Sequence, residues 1–178
     1  MSKICDTIKQ EVAALTPLAV LDADHAAKGY DLDIQVSPDQ VVAAAEVMDR
    51  AGLFIEAVTG VDWLAEATAA KPKPKPKPQA EEAGETEPEE AEPEPEPVSP
   101  EMEVVYDYSS SGELCRVVVR TRIPRDNPEL PSIQQIYPGA NWHERETHDF
   151  FGIRFSGHPN LTPFLLPEDA DFHPLLKG

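Results

Sequence analysis

The chain predicts an α+β fold: a single domain with a mostly antiparallel sheet flanked by helices, a long disordered Pro/Glu/Lys insertion, and an irregular C-terminal arm. Three observations carry this. Strand-period segments at 30–36 and 103–123 alternate with helix-period segments at 2–15 and 37–51. A run of Lys-Pro and Glu-Pro pairs interrupts the pattern between two predicted strands, and prolines and glycines at turn positions dominate after residue 155. The expected organisation is 1–64 as the N-terminal half of the domain, 65–100 as the insertion, 101–155 as the C-terminal half, and 156–178 as the arm.

Ile4, Ile8, Val12 and Leu15 recur at helical spacing, with Ser2 available as a cap, and predict an amphipathic first helix. Leu18 to Leu21 is a short apolar segment. From Tyr30 to Val36, Leu32, Ile34 and Val36 alternate with Asp31, Asp33 and Gln35, the period of a half-buried strand. Ser37-Pro38 reads as a cap followed by proline at the first helical position. The helix then runs through Val41, Val42, Ala45, Val47 and Met48, and Gly52 closes it. Leu53 to Val58 has the β-branched and aromatic content of a strand and leads through Thr59-Gly60 into Val61-Asp62-Trp63.

Between Lys71 and Pro100 lie nine of the 19 prolines, nine of the 33 acidic residues and four lysines. No apolar core can form from that composition. Alternating proline favours an extended chain of about 3.1 Å per residue, so these residues span at most roughly 90 Å. Two uses are open: a solvated insertion in a surface loop, or a tether or clamp built from adjoining blocks of opposite charge.

Glu103 to Tyr108 and Leu114 to Ile123 form a hairpin by pattern, joined through Ser109 to Gly112. Arg116, Arg120 and Arg122 share one face of its second strand, opposite Val117, Val119 and Thr121. They either balance local carboxylates or meet an acidic patch on a partner. Pro124 to Pro131 reads as a proline-rich loop and Ser132 to Tyr137 as a helical turn or two. The segment from about Ala140 to Phe151 predicts a helix that Gly152 ends. On it, Trp142, Arg145, Glu146, Asp149 and Phe150 share a side, and the spacing allows Arg145 to pair with Asp149 and Glu144 to meet His148.

The net charge is −18, of which 71–100 supplies −5, so the rest of the chain still carries −13. This balance disfavours nucleic acid and anionic membrane surfaces, which need Lys and Arg to neutralise phosphates, and favours a basic protein partner. Cys5 and Cys115 lack Cys-x-x-Cys spacing and are expected to be free thiols. The N-terminus does not read as a signal peptide and no apolar run nears the roughly 20 residues of a membrane helix, so the expected location is cytoplasmic.

His143 and His148 invite comparison with the two-histidine helix of zinc proteases, but they are five apart and diverge by about 140° on a helix. Glu146 and Asp149 are one turn apart, as an acid–base pair requires, yet the ion-pair options around Arg145 favour a structural network. The nine glycines occur singly, so there is no phosphate-cradling loop. Two functional classes stand at this point: a metal-dependent enzyme using Glu146, Asp149 and the histidines, and an acidic adaptor acting through its proline tract.

Asn141 to Phe155, with its Glu-Arg-Glu-x-x-Asp-x-x-Gly core from Glu144 to Gly152, is followed by Gly157-His-Pro-Asn-Leu161, Leu166-Pro-Glu-Asp169 and His173-Pro-Leu175. This series resembles the signature of the thirty-kilodalton subunit of respiratory complex I (the C subunit of NADH dehydrogenase), a family that includes the equivalent subunit of energy-converting membrane-bound hydrogenases of the CO-induced or Ech type. The resemblance spans about Pro138 to Leu175. It implies a non-catalytic subunit of the peripheral arm, on the cytoplasmic side of the cell membrane and attached to it only through the complex. It implies no cofactor in this chain, with iron–sulfur clusters, and flavin or nickel–iron, in partner subunits. The implied partners are the large hydrogenase-like (forty-nine-kilodalton-type) subunit and small iron–sulfur subunits. Trp142, Glu144, Arg145, Glu146, Asp149 and Gly152 would form the signature helix and its cap, with Gly157, His158 and Pro159 trailing, all serving fold and docking and none acting on substrate. Two features depart from the family pattern: the Lys-Pro/Glu-Pro insertion, and an end at His173 to Gly178 shorter than the tail of many respiratory members, which brings in the hydrogenase-type complex as a competitor.

Overall fold

A computed structural model describes residues 3–64 and 100–177. The stretch expected to be unstructured, 65–100, lies outside the described residues except for Pro100.

The apolar stripe of the first segment folds as α1 (Lys3–Ala13), burying Cys5, Ile8 and Val12 at three- and four-residue spacing. Strand β1 (Ala19–Asp22) runs antiparallel to β2 (Leu32–Gln35). Between them a single turn, α2 (His25–Lys28), is capped by the Asp24 carboxylate, which accepts from Ala26 N–H at 3.0 Å. After Ser37 the chain first takes a 3-10 turn over Pro38–Gln40 and only then α3 (Val41–Arg50). Gly52 follows the helix at φ 76°, the left-handed position expected of it.

Strand β3 (Leu53–Asp62) continues through Thr59 and Gly60 without a break. It pairs antiparallel with β4 (Glu101–Ser110), which forms the expected hairpin with β5 (Arg116–Pro124). The five-stranded sheet has the order β1-β2-β5-β4-β3, and β2 against β5 is its one parallel pairing. Leu32, Ile34, Val104, Tyr106, Tyr108, Val117, Val119 and Ile123 are buried in one cluster with the apolar faces of α1 and α3.

The opposite face carries the arginines, each neutralised within the chain. Arg116 pairs with Glu56 at 2.9 Å, Arg120 with Asp33 at 3.1 Å and Glu103 at 2.9 Å, and Arg122 with Glu101 at 3.2 Å. Of the two readings of this stripe, local balance holds.

Two features depart from expectation. Cys5 and Cys115, expected to be free thiols, are joined in a disulfide with Cα atoms 6.6 Å apart. Their 110-residue separation conceals a proximity that only the tertiary fold creates. Within the expected proline-rich loop, β6 (Glu129–Pro131) pairs in parallel with β7 (Arg154–Ser156), three residues being too few to register as a period. Ser132 to Tyr137 makes a single turn, closed by Tyr137 N–H on the Ile133 carbonyl at 2.9 Å. Helix α4 (Ala140–Phe151) has the expected bounds, with Gly152 left-handed at φ 73°. Among the described residues no helix is long and apolar enough to cross a membrane.

Candidate functional site

Helix α4 presents Ala140, Glu144, Thr147 and Phe151 inward, a stripe at four-, three- and four-residue spacing. It lies along the outer edge of β3. The Thr147 hydroxyl donates to the Val58 carbonyl at 2.9 Å and the Tyr137 hydroxyl to the Leu53 carbonyl at 3.0 Å, so side chains satisfy acceptors that a sheet edge leaves open. Gly60 allows the approach: a Cβ there would stand 2.6 Å from Cδ2 of Phe151.

Glu144 is fully buried. Its Oε1 accepts from Ile133 N–H at 2.8 Å and its Oε2 from the Ser132 hydroxyl at 2.6 Å, fastening the segment after β6 to the helix. His158, after β7, closes the other side with Nε2 3.9 Å from Oε2 of Glu144. The backbone N–H of Asn160 donates to Nδ1 of His158 at 3.1 Å. The ring proton therefore sits on Nε2, which donates to the Asn141 carbonyl at 3.3 Å. Burial pushes the Glu144 carboxyl up to about 7 against the opposing bonds from Ser132 and Ile133, and burial lowers His158. The expected contact of Glu144 with His148 is not made, because Glu144 turns inward while His148 hydrogen-bonds the Ile153 carbonyl through Nδ1 at 2.9 Å.

Asp149 holds the arm. Its Oδ2 accepts from the backbone N–H groups of Phe164, Leu165 and Leu166 at 2.8, 2.7 and 3.3 Å. Burial alone would raise this carboxyl, but the three N–H donors and nearby His148 outweigh it and hold it below its ordinary value. The expected Arg145–Asp149 pair is therefore absent, since the arm occupies Asp149. Arg145 instead donates from Nε to the Thr162 carbonyl and from Nη2 to that of Pro163, both at 3.2 Å. Its guanidinium lies 5.2 Å from the Trp142 ring and 5.0 Å from the Phe164 ring, and those rings are 4.8 Å apart.

Farther along, Nδ1 of His173 bonds the Asp149 carbonyl at 2.7 Å and Leu175 N–H bonds the Phe150 carbonyl at 3.1 Å. At the end, Lys177 N–H donates to Asp62 Oδ2 at 2.9 Å, and Arg125 bridges Asp62 and the Lys177 carbonyl. The arm is irregular yet fastened at every few residues. Large apolar groups stay in solvent on the helix and along the arm: Trp142 of α4 is 54% exposed, and in the arm Phe164 is 39%, Leu165 51%, Phe172 56% and Leu175 51% exposed.

Of the nine residues singled out from sequence, Glu144, Arg145, Asp149 and His158 form the bonded network and Gly152 caps the helix. Trp142 is the outward aromatic, Glu146 is partly exposed on the helix, Gly157 is left-handed at φ 81°, and Pro159 is exposed. Sequence reading missed Ser132, Thr147, Phe164, and the Arg125–Asp62 clasp. Ser132 and Phe164 had a signal in retrospect, a hydroxyl and an aromatic residue inside proline-bounded segments. Among the described residues no group of three or more His, Cys, Asp or Glu could hold a metal ion.

The family model described as respiratory-chain NADH dehydrogenase, 30 Kd subunit, matches residues 34–178. The chain belongs to this family. Among its relatives in the thirty-kilodalton family, the C subunit of the NADH-quinone oxidoreductase of Roseiflexus sp. (strain RS-1) is 33% identical over 175 residues, covering 96% of this chain and 81% of that protein. The corresponding subunit of Mycolicibacterium paratuberculosis (strain ATCC BAA-968 / K-10) is 46% identical over 77 residues, 43% of this chain and 33% of that one. Two solved structures share the fold. One is a trypsin-resistant fragment (1–134) of Nqo5, with TM-score 0.59, 24% identity, and coverage of 89% of this chain and 99% of that one. The other is a chain of the membrane-bound sulfane sulfur reductase, an archaeal respiratory membrane complex, with TM-score 0.65, 22% identity, and coverage of 94% and 79%.

Proposed function

We propose that this member of the thirty-kilodalton family is a non-catalytic subunit of a complex I-like NADH:quinone oxidoreductase. It docks through α4 and the C-terminal arm onto the large hydrogenase-like subunit, beside the small iron–sulfur subunits. The observation that supports docking is the arm: its backbone is bonded to Asp149, Arg145, Phe150 and Asp62, while Phe164, Leu165, Phe172 and Leu175 face water. Ordering an irregular segment costs chain entropy, and exposing large apolar groups on it returns nothing to the isolated fold. A surface of that kind is compensated when a partner covers it. In this reading the chain holds no cofactor, electrons pass through clusters of the neighbouring subunits, and membrane association is indirect, on the cytoplasmic side.

The test is co-purification of the tagged chain from solubilised membranes of its own organism. Wild type should bring down the large subunit and iron–sulfur subunits, and Trp142→Ala with Phe164→Ala should reduce that recovery while the isolated variant keeps its melting temperature. Undiminished recovery would sink the arm as the docking element. A second reading, an energy-converting hydrogenase-type parent, draws on the shared fold with a chain of another respiratory membrane complex. NADH oxidation and flavin in the recovered complex would support the first reading, and nickel would support the second. Metal analysis of the isolated chain tests the claim that it carries no cofactor.

A further inference from the structure

We infer that the Trp142–Arg145–Phe164 cluster receives an apolar segment of the partner that carries an aspartate or glutamate against the Arg145 guanidinium. The inference rests on the docking reading above and adds the chemistry of the group that docks.

The sequence contains seven arginines, all among the described residues. Six are paired with carboxylates: Arg50 with Glu11 at 3.1 Å, Arg116 with Glu56 at 2.9 Å, Arg120 with Glu103 at 2.9 Å, Arg122 with Glu101 at 3.2 Å, Arg125 with Asp62 at 3.2 Å and Arg154 with Glu129 at 2.8 Å. Arg145 has no carboxylate partner among the described residues. In a chain of net charge −18 this is not for lack of candidates. Asp149 lies one turn away on α4, but three backbone N–H groups already take up its Oδ2, and the arm's Glu168, Asp169 and Asp171 are all exposed and form no ion pair with it.

Arg145 spends Nε and Nη2 on neutral carbonyls of the arm, which orients the guanidinium without neutralising it. Nη1 makes no hydrogen bond among the described residues. The charge is flanked by the faces of Trp142 and Phe164, with Leu165 exposed beside them. An apolar surface covering those rings removes water from the guanidinium as well. A desolvated, unneutralised cation opposes association, whereas a partner carboxylate meeting it at the fork would be held in one geometry. The cluster is thus a cationic island on an acidic protein. It selects an acidic group at this point, although the rest of the surface favours a basic partner.

The experiment uses the full chain co-expressed with the other subunits of its complex. A photo-crosslinking p-benzoylphenylalanine replaces Leu165 to identify the facing peptide. The expected product is a peptide of a different subunit with an aspartate or glutamate among apolar residues. Arg145→Gln keeps an N–H donor for the arm carbonyls and should retain the melting temperature of the isolated chain. It should weaken association about tenfold or more and flatten its dependence on salt. Arg145→Glu should be rescued by changing the crosslinked acidic residue to arginine. A crosslinked peptide without a carboxylate, crosslinks to a second copy or back onto the chain, unchanged affinity of Arg145→Gln, or no rescue in the swap would each overturn the inference. If Trp142→Ala weakens association while Arg145→Gln does not, only the acidic partner falls. If both bind as wild type, the docking reading falls with it.

Discussion

Glu144 and Asp149 are carboxylates on one helix with opposite fates, and the difference lies in their donors. Glu144 has one backbone N–H and one hydroxyl in a buried site, whereas Asp149 has three backbone N–H groups and the neighbourhood of His148. Because the Glu144 carboxyl rises from its ordinary 4.5 to about 7, the folded state binds the extra proton between those values. Stability from this group is therefore fully present below about pH 4.5, declines as pH rises between those values, and is lost above about 7. Glu144→Gln, which mimics the protonated acid, should flatten that decline, and urea denaturation of both proteins from pH 5 to 8 checks it. Asp149 has the reverse sign: its lowered pKa adds stability above the ordinary carboxylate range that is lost only as pH falls through it. Asp149→Asn should cost about 2 kcal/mol and speed amide exchange at residues 164–166, read by hydrogen-exchange mass spectrometry. Sequence spacing identified both residues as important but not their partners. Arg145 and Asp149 are four apart, which permits a pair, and the arm's backbone, remote in sequence, outcompetes it.

Helix α4 was the most legible element, since its bounds and its glycine stop follow from local rules. Its buried face was not legible, because Glu144 and Thr147 are polar and no hydrophobic period marks them. Two close approaches hold the helix between β3 and the arm. Gly60→Ala would drive a Cβ to 2.6 Å from the Phe151 ring and should cost about 2 kcal/mol or more by overpacking. Phe151→Leu in the same chain should recover part of the loss, and a double-mutant cycle of chemical denaturation measures the coupling. Gly152→Ala combines the left-handed φ of 73° with a Cβ 2.8 Å from the His173 ring. It should cost about 1–2 kcal/mol and loosen the arm's last turn before it disturbs the sheet. Strands β6 and β7 escaped sequence reading because three-residue strands have no period to detect.

Across the whole molecule, one cross-link and one crossing decide the arrangement. The disulfide between Cys5 and Cys115 closes 110 residues, and chain-entropy reasoning assigns it roughly 3–5 kcal/mol. Dithiothreitol, or Cys115→Ser, should lower the melting temperature by about 10 °C and leave the family fold in place, since Ile8 and Val12 of α1 are buried without it. Trp63 N–H bonds the Glu101 carbonyl at 3.1 Å, so the chain leaves the sheet and re-enters it at one point. Replacing 65–99 with a short turn should therefore preserve the fold and raise stability by about 1–2 kcal/mol through easier loop closure, a shift that calorimetry resolves. A large loss of stability would mean that the segment contributes packing.

The amino-acid sequence by itself determined the α+β class, the hairpin, the signature helix with its stop at Gly152, and the residues that mark the family, because each depends on periods and caps read within a dozen neighbours. Only the tertiary structure decided that the arginine stripe is neutralised in place, that the cysteines meet, and that Glu144 faces inward. It also decided that Arg145 and Asp149 each bond the backbone of the arm rather than each other. Those outcomes are competitions among groups far apart in the chain, and spacing shows which pairs can form but not which partner the completed fold brings closer.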